Sequence, residues 1–242
     1  SRFAALVESL PDGKLDVRTF NGLTVRELVI HLAAMESSVA SAIGRATAPE
    51  VTEDEVDRRT AKFVERFHAR PLADARTVWR ASVDAVAAWA EEAPADARVQ
   101  VFGLPFRRDS ILVSRSFETW THADDIRAAL GRPSEPPPPD VIERMADLSV
   151  TSMPASLEVS DRAHRGKTAR VVLTGAGGGD WLIPLGFGEA GATADVVITA
   201  DVVDWCRCAA ERLAPEALPR AVEGDPAVAD DLVASSSAFA TL

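Results

Sequence analysis

The run RPSEPPPP at residues 132–139 constrains this chain more than any other feature. Proline has a fixed φ and no backbone N–H, so a cluster of prolines cannot enter a helix interior or a central strand. It reads as a stiff, extended spacer. It divides the 242 residues into two stretches of ordinary domain size. The N-terminal stretch is patterned as helices, and the C-terminal stretch mixes strand-like and helical runs. The expectation is an α+β chain: a helical domain over residues 1–132, a Pro-rich linker over 133–139 and a small α/β domain over 140–242.

In the first stretch, Thr24 with Glu27 three residues on has the spacing of a capping box. A helix runs from there to Gly44, with Leu28, Leu32, Met35 and Val39 on its apolar face. A second covers 53–70, ending before Pro71. A third covers 73–92, with Val78, Val83, Val86 and Trp89 as core candidates. The stretch VQVFGLPFRRD reads as irregular, and a fourth long helix begins near Ser110 and stops at Gly131. Three long helices plus the short helix over 3–10 suggest a four-helix bundle.

In the second stretch a helix is expected over 140–157. ARVVLTG and WLIPLGF are strand-like and flank the glycines of GAGGGD, which suggests a hairpin. A Gly-rich segment between two strands is a turn; a phosphate cradle would precede a helix. DVVITA is a third strand, with helices after it over 201–213 and 226–239.

The formal net charge of −11 argues against nucleic acid, whose binding needs clustered Lys and Arg. Lys occurs only at positions 14, 62 and 167, and the Arg-rich balance points to a GC-rich source. No apolar run reaches the ~20 residues of a membrane span, and residues 1–10 lack the layout of a signal peptide. Ser1 is not Met, so a few residues are expected to precede it. Cys206 and Cys208 stand two apart, too close to pair, and on a helix they diverge as packing residues. With no other disulfide candidate, a reducing cytoplasm is the default compartment.

The chemistry concentrates on the fourth helix. Arg115, Glu118, His122 and Asp125 are spaced 3, 4 and 3 apart, so they form one stripe. Ionisable groups on an interior stripe are costly unless paired or metal-bound; the plain alternative is that the stripe faces solvent. His31 sits among Leu28, Leu32 and Met35 on a face that should be buried. A lone histidine there is more often hydrogen-bonded core than ligand. Glu118 and His122, one turn apart, could however share an ion with a histidine from a neighbouring helix. Three N/O ligands with an open fourth position is the pattern of a catalytic zinc site.

The segments GLTVRELVIHLAAMES and SRSFETWTHADDIRAALG together resemble the paired signature of the mycothiol-dependent, maleylpyruvate isomerase-like enzymes of the DinB/YfiT-like superfamily. DWCRCAAERL and EGDPAVADDL are similar to the ending of that family's sterol-carrier-like C-terminal domain. The resemblance covers nearly the whole chain, though Leu23 stands where the family often has Trp and the first helix is short.

By this resemblance His31, Glu118 and His122 are ligands of a divalent metal, and zinc is the metal implied. Asp125 orients a ligand, and Arg115 could hold a carboxylate. Arg207 and Arg212, whose plain reading is surface arginines, are candidates to reach over the metal and hold an acidic substrate. The implied activity is a thiol S-transferase or isomerase, with mycothiol as cosubstrate, acting on a small electrophile through a metal-bound thiolate. Two other classes use the same residues: a hydrolase with a metal-activated water and Asp125 as general base, and a non-catalytic metal- or small-ligand-binding protein. No nucleic-acid or membrane partner is expected, and the assembly is a monomer or homodimer. His68 at a helix C-terminus and His164 in a loop carry no further motif.

Overall fold

A computed structural model of the chain describes residues 2–48, 56–101 and 103–239. The fold is α+β, with eight α-helices and two sheets among the described residues. The chain divides into two compact units, 1–135 and 136–242. The division falls inside the proline-rich run, between Glu135 and Pro136.

The first unit contains α1 (Arg2–Glu8), α2 (Val25–Ala42), α3 (Val56–Phe67), α4 (Leu72–Glu92), β1 (Arg98–Val101), β2 (Leu104–Arg107) and α5 (Arg108–Ala129). α2 is its axis. The Thr24 hydroxyl accepts from Glu27 N–H while the Glu27 carboxylate accepts from Thr24 N–H, so both halves of the capping box are present. Leu28, Leu32, Met35 and Val39 are buried, and so is nearly every residue from Val25 to Ala40. Small residues on its remaining faces (Ala33, Ala34, Ser37, Ser38, Ala40) make this possible, because they let α4, α3 and α5 pack against it from several sides.

Two local expectations need correction. The buried stripe of α4 is Ala75, Trp79, Ser82 and Val86, whereas Val78, Val83 and Trp89 are only half-buried. The 4-3-4 spacing through Trp79 keeps one face inward, and the Trp79 ring meets Phe3 edge-on at 4.9 Å. The stretch read as irregular is an antiparallel hairpin, β1 against β2, with Arg98 opposite Arg107. Alternating Val99 and Val101 are its buried residues. The expected start of the 53–70 helix lies outside the described residues.

The second unit opens with α6 (Pro139–Val159), then β3 (Thr168–Thr174), β4 (Gly179–Pro184), β5 (Val196–Asp201), α7 (Val202–Ala209), β6 (Arg220–Gly224) and α8 (Pro226–Ser235). The sheet order is β4-β3-β5-β6. β3 pairs antiparallel with β4 and parallel with β5, and β5 pairs antiparallel with β6. The Gly-rich segment is the turn between β3 and β4. A methyl group on Gly178 would fall 2.0 Å from the Leu173 carbonyl oxygen, so only glycine closes that turn. β6 was not expected; its sequence, RAVEG, has too few β-branched residues to declare a strand. α7 is shorter than the expected 201–213 helix, because Glu211 turns to φ 58° and ends it. Trp205 anchors this core, fully buried, with its indole N–H donating to Ser149 Oγ at 3.1 Å. No helix among the described residues is long and apolar enough to cross a membrane.

Candidate metal centre

The polar stripe of α5 faces inward. Arg115, His122 and Asp125 are buried and Glu118 is half-buried, which excludes the solvent-facing alternative. His31 projects from α2 against it. Its Nε2 lies 3.1 Å from Glu118 Oε1, and His122 Nε2 lies 4.0 Å from the same oxygen. The two imidazole rings meet edge to face at 5.2 Å. One donor atom each from His31, Glu118 and His122 lie within 4.8 Å of one another.

The outer side of each donor is also occupied. Nδ1 of His122 is 3.0 Å from Asp125 Oδ2. A carboxylate only accepts, so Nδ1 carries the proton and Nε2 of neutral His122 presents its lone pair toward Glu118. Nδ1 of His31 is 2.8 Å from Thr60 Oγ on α3. Glu118 Oε2 accepts from Arg115, whose Nε also donates to Glu36 Oε1 at 3.2 Å. Arg115 thus spans two carboxylates, and its second terminal nitrogen is buried without a hydrogen-bond partner among the described residues.

Electrostatics follow from this packing. Burial pushes Glu118 upward, but the Arg115 guanidinium, the hydrogen bond to His31 and the two imidazoles outweigh it and hold the carboxyl well below its ordinary range. Glu36 goes the other way: burial, with help from the nearby Glu118 charge, raises it despite Arg115. Burial lowers His122 in spite of its bond to Asp125, so this imidazole stays neutral to more acidic pH. Arg115 is held firmly protonated, since its two carboxylates outweigh the desolvation that would lower it.

The set fits a divalent ion of borderline character. Two imidazole nitrogens and one carboxylate oxygen are donors zinc accepts, and three protein ligands leave a position open. With Oε2 engaged by Arg115, Oε1 is the oxygen of Glu118 that remains for an ion. Each ligand is also oriented from behind, as metal ligands characteristically are.

Two residues here escaped the sequence reading. Glu36 could have been noticed as a glutamate inside the otherwise apolar and small run of α2. Thr60 gave no signal, since it becomes a partner only when α3 docks on α2. Arg59, the residue before it, secures that docking. It is fully buried, donating to the Ala34 carbonyl at 3.0 Å and to Ser37 Oγ at 2.8 Å. Arg207 and Arg212 belong to the second unit. Arg207, on α7, is 3.5 Å from Asp204, and Arg212, just beyond, donates to the Ala210 carbonyl at 2.7 Å. Cys206 and Cys208 are buried there. His164 Nε2 is 2.9 Å from Asp231, at the unit's partly exposed surface.

The fold and this cluster define an α+β protein whose helical unit brings two histidines and one carboxylate close enough to hold a metal ion. The sequence model described as the mycothiol maleylpyruvate isomerase N-terminal domain matches residues 1–127, and the chain belongs to that family, a family of enzymes. Two solved structures share its fold: a mycothiol-dependent maleylpyruvate isomerase, with a TM-score of 0.59, and a histidine-to-alanine mutant described by the same name, with a TM-score of 0.58. Each is 16% identical to the chain, over 90% of this chain and 87% of its own. No curated protein sequence matches the chain.

Proposed function

We propose that this chain is a metal-dependent isomerase or S-transferase that uses a low-molecular-weight thiol, mycothiol, on a small acidic electrophile. The observation that carries this reading is the convergence of His31, Glu118 and His122 within 4.8 Å, in a domain of the mycothiol isomerase family. Zinc is the metal the donor set suits best. A divalent ion held there supplies an open coordination position at which a thiol loses its proton near neutral pH.

The chain's own residues do the rest. Arg115 fixes Glu118 and keeps it ionised, and Asp125 fixes His122. In the isomerase reading the thiolate sulfur bonds to one carbon of an activated double bond, and the π pair moves onto the conjugated carbonyl oxygen. The resulting single bond rotates, the enolate collapses and the thiolate leaves, so the thiol is regenerated. In the transferase reading the carbon–sulfur bond persists and the enolate is protonated.

The hydrolase alternative would need Asp125 as a free general base. Its carboxylate is buried and bound to His122, an arrangement that supports orientation of the imidazole instead. Architecturally we read the first unit as a DinB-like four-helix bundle and the second as a sterol-carrier-like domain. A cytoplasmic monomer or homodimer is the proposed form.

The test is metal analysis of protein purified without chelator, followed by mycothiol-dependent isomerisation of maleylpyruvate. About one divalent ion per chain, lost in His31→Ala and His122→Ala, supports the centre. A chain that binds no stoichiometric ion, or variants that keep it, would end this reading.

A further inference from the structure

Nδ1 of the two candidate histidine ligands is held in different ways. His122 has Asp125, an acceptor only, so its Nδ1 is fixed as the protonated nitrogen and its Nε2 lone pair is ready for an ion. His31 has Thr60 at 2.8 Å, and a hydroxyl can both donate and accept. Nε2 of His31 meanwhile faces the Glu118 carboxyl group at 3.1 Å. With the ring proton on Nε2, that nitrogen donates to the carboxylate, and the lone pair on Nδ1 accepts from the Thr60 hydroxyl. To ligate an ion the ring must be the other tautomer, with the proton on Nδ1. One proton leaves Nε2, one is taken up at Nδ1, and none is gained or lost overall. The Thr60 hydroxyl then rotates and accepts.

We infer that Thr60 is a positioning residue for the metal centre, holding His31 in either tautomer so that Nε2 stays aimed at the site as the ion arrives. This rests on the metal-centre reading above. The geometry suits the role. Thr60 sits on α3, which the buried Arg59 ties to α2 through the Ala34 carbonyl and Ser37, so the hydroxyl is held by a packed helix and not by a loop. A carboxylate at this position would favour only the ion-bound tautomer, and an alkyl group neither.

The experiment compares wild type, Thr60→Val, Thr60→Ser and His122→Ala for affinity toward zinc, by competition with a chromophoric chelator. The visible absorption of the cobalt-loaded proteins is recorded alongside. Valine keeps the shape and removes the hydroxyl, so affinity should fall about 10–100-fold, the range for loss of a partner behind a ligand. The cobalt bands should shift, and serine should restore both. Thermal unfolding of the metal-free proteins monitors the fold. Thr60→Val with wild-type affinity and spectrum, while His122→Ala loses the ion, would overturn the role of Thr60 and leave the centre standing. Retention of the ion by His122→Ala would overturn the centre, and the role of Thr60 with it.

Discussion

Nδ1 of His122 and Oδ2 of Asp125 lie 3.0 Å apart, one turn along the same helix. Both groups are buried, so neither exchanges this partner for water at little cost. Asp125 therefore sets which nitrogen of His122 faces Glu118. Asp125→Ala should weaken divalent-ion binding by about 10–100-fold without removing a donor from the cluster. A chelator competition titration reads this directly; unchanged affinity would mean that the imidazole is held by packing alone.

Arg115 places its guanidinium between the Glu36 and Glu118 carboxylates. Replacing it with Met preserves much of the volume but leaves the buried Glu36 carboxyl facing the half-buried Glu118 carboxylate. Breaking a buried ion cluster in this way costs roughly 3–5 kcal/mol. Urea unfolding of the metal-free variant should show that loss as a lower midpoint. A destabilisation below about 1 kcal/mol, the worth of an exposed pair, would show that water reaches the cluster.

Glu36 and Glu118 make opposite contributions to stability as pH changes. The Glu36 carboxyl is raised in the folded chain from an ordinary value of 4.5. Between that value and the folded one, the folded state holds a proton there that the unfolded chain has released. Its stabilisation is complete below pH ~4.5 and lost as pH rises through the folded value. Glu118 is lowered, so its stabilisation is present above pH ~4.5 and lost as pH falls through its folded value. Glu36→Gln removes only the first effect. Relative to wild type, this variant should gain stability as pH rises from about 4.5 through the folded value of Glu36, and hold that gain above it, in urea unfolding of the metal-free proteins. A difference independent of pH would show that Glu36 is not the titrating group.

How far the sequence carried these conclusions depended on whether the information was local. The α2 cap and its apolar face were legible, since Thr24, Glu27, Leu28, Leu32 and Met35 obey short-range rules. The α5 stripe was legible because charged groups at helical spacing are conspicuous. Glu36 was legible only as an anomaly in the apolar run of α2, and Thr60 not at all, because each acquires its role through a contact with another helix. The face of α4 was legible in part: Val86 is buried and Val78, Val83 and Trp89 pack half-buried against the core, whereas Ala75 and Ser82 are buried only because the neighbouring helix sets the face. β6 and the β1–β2 hairpin were missed because both are short and carry Arg, Pro or Gly, and their strand character comes from their partners.

Cys206 and Cys208 bear on whether the nucleophile belongs to the chain at all. Both are buried, and burial pushes both thiols up from their ordinary values; Ser236 and Arg220 offset this only in part for Cys208. The reactive form of cysteine is the thiolate, so neither should react in the folded protein. A disulfide reagent such as dithiobis(nitrobenzoate) should label no thiol in the native state on the timescale of minutes, and both after denaturation. That result would leave an external thiol as the source of any sulfur nucleophile, which is what the proposed activity requires. Rapid native labelling of either cysteine would open a route through a protein thiol, and the mycothiol dependence would then have to be tested against variants lacking that cysteine.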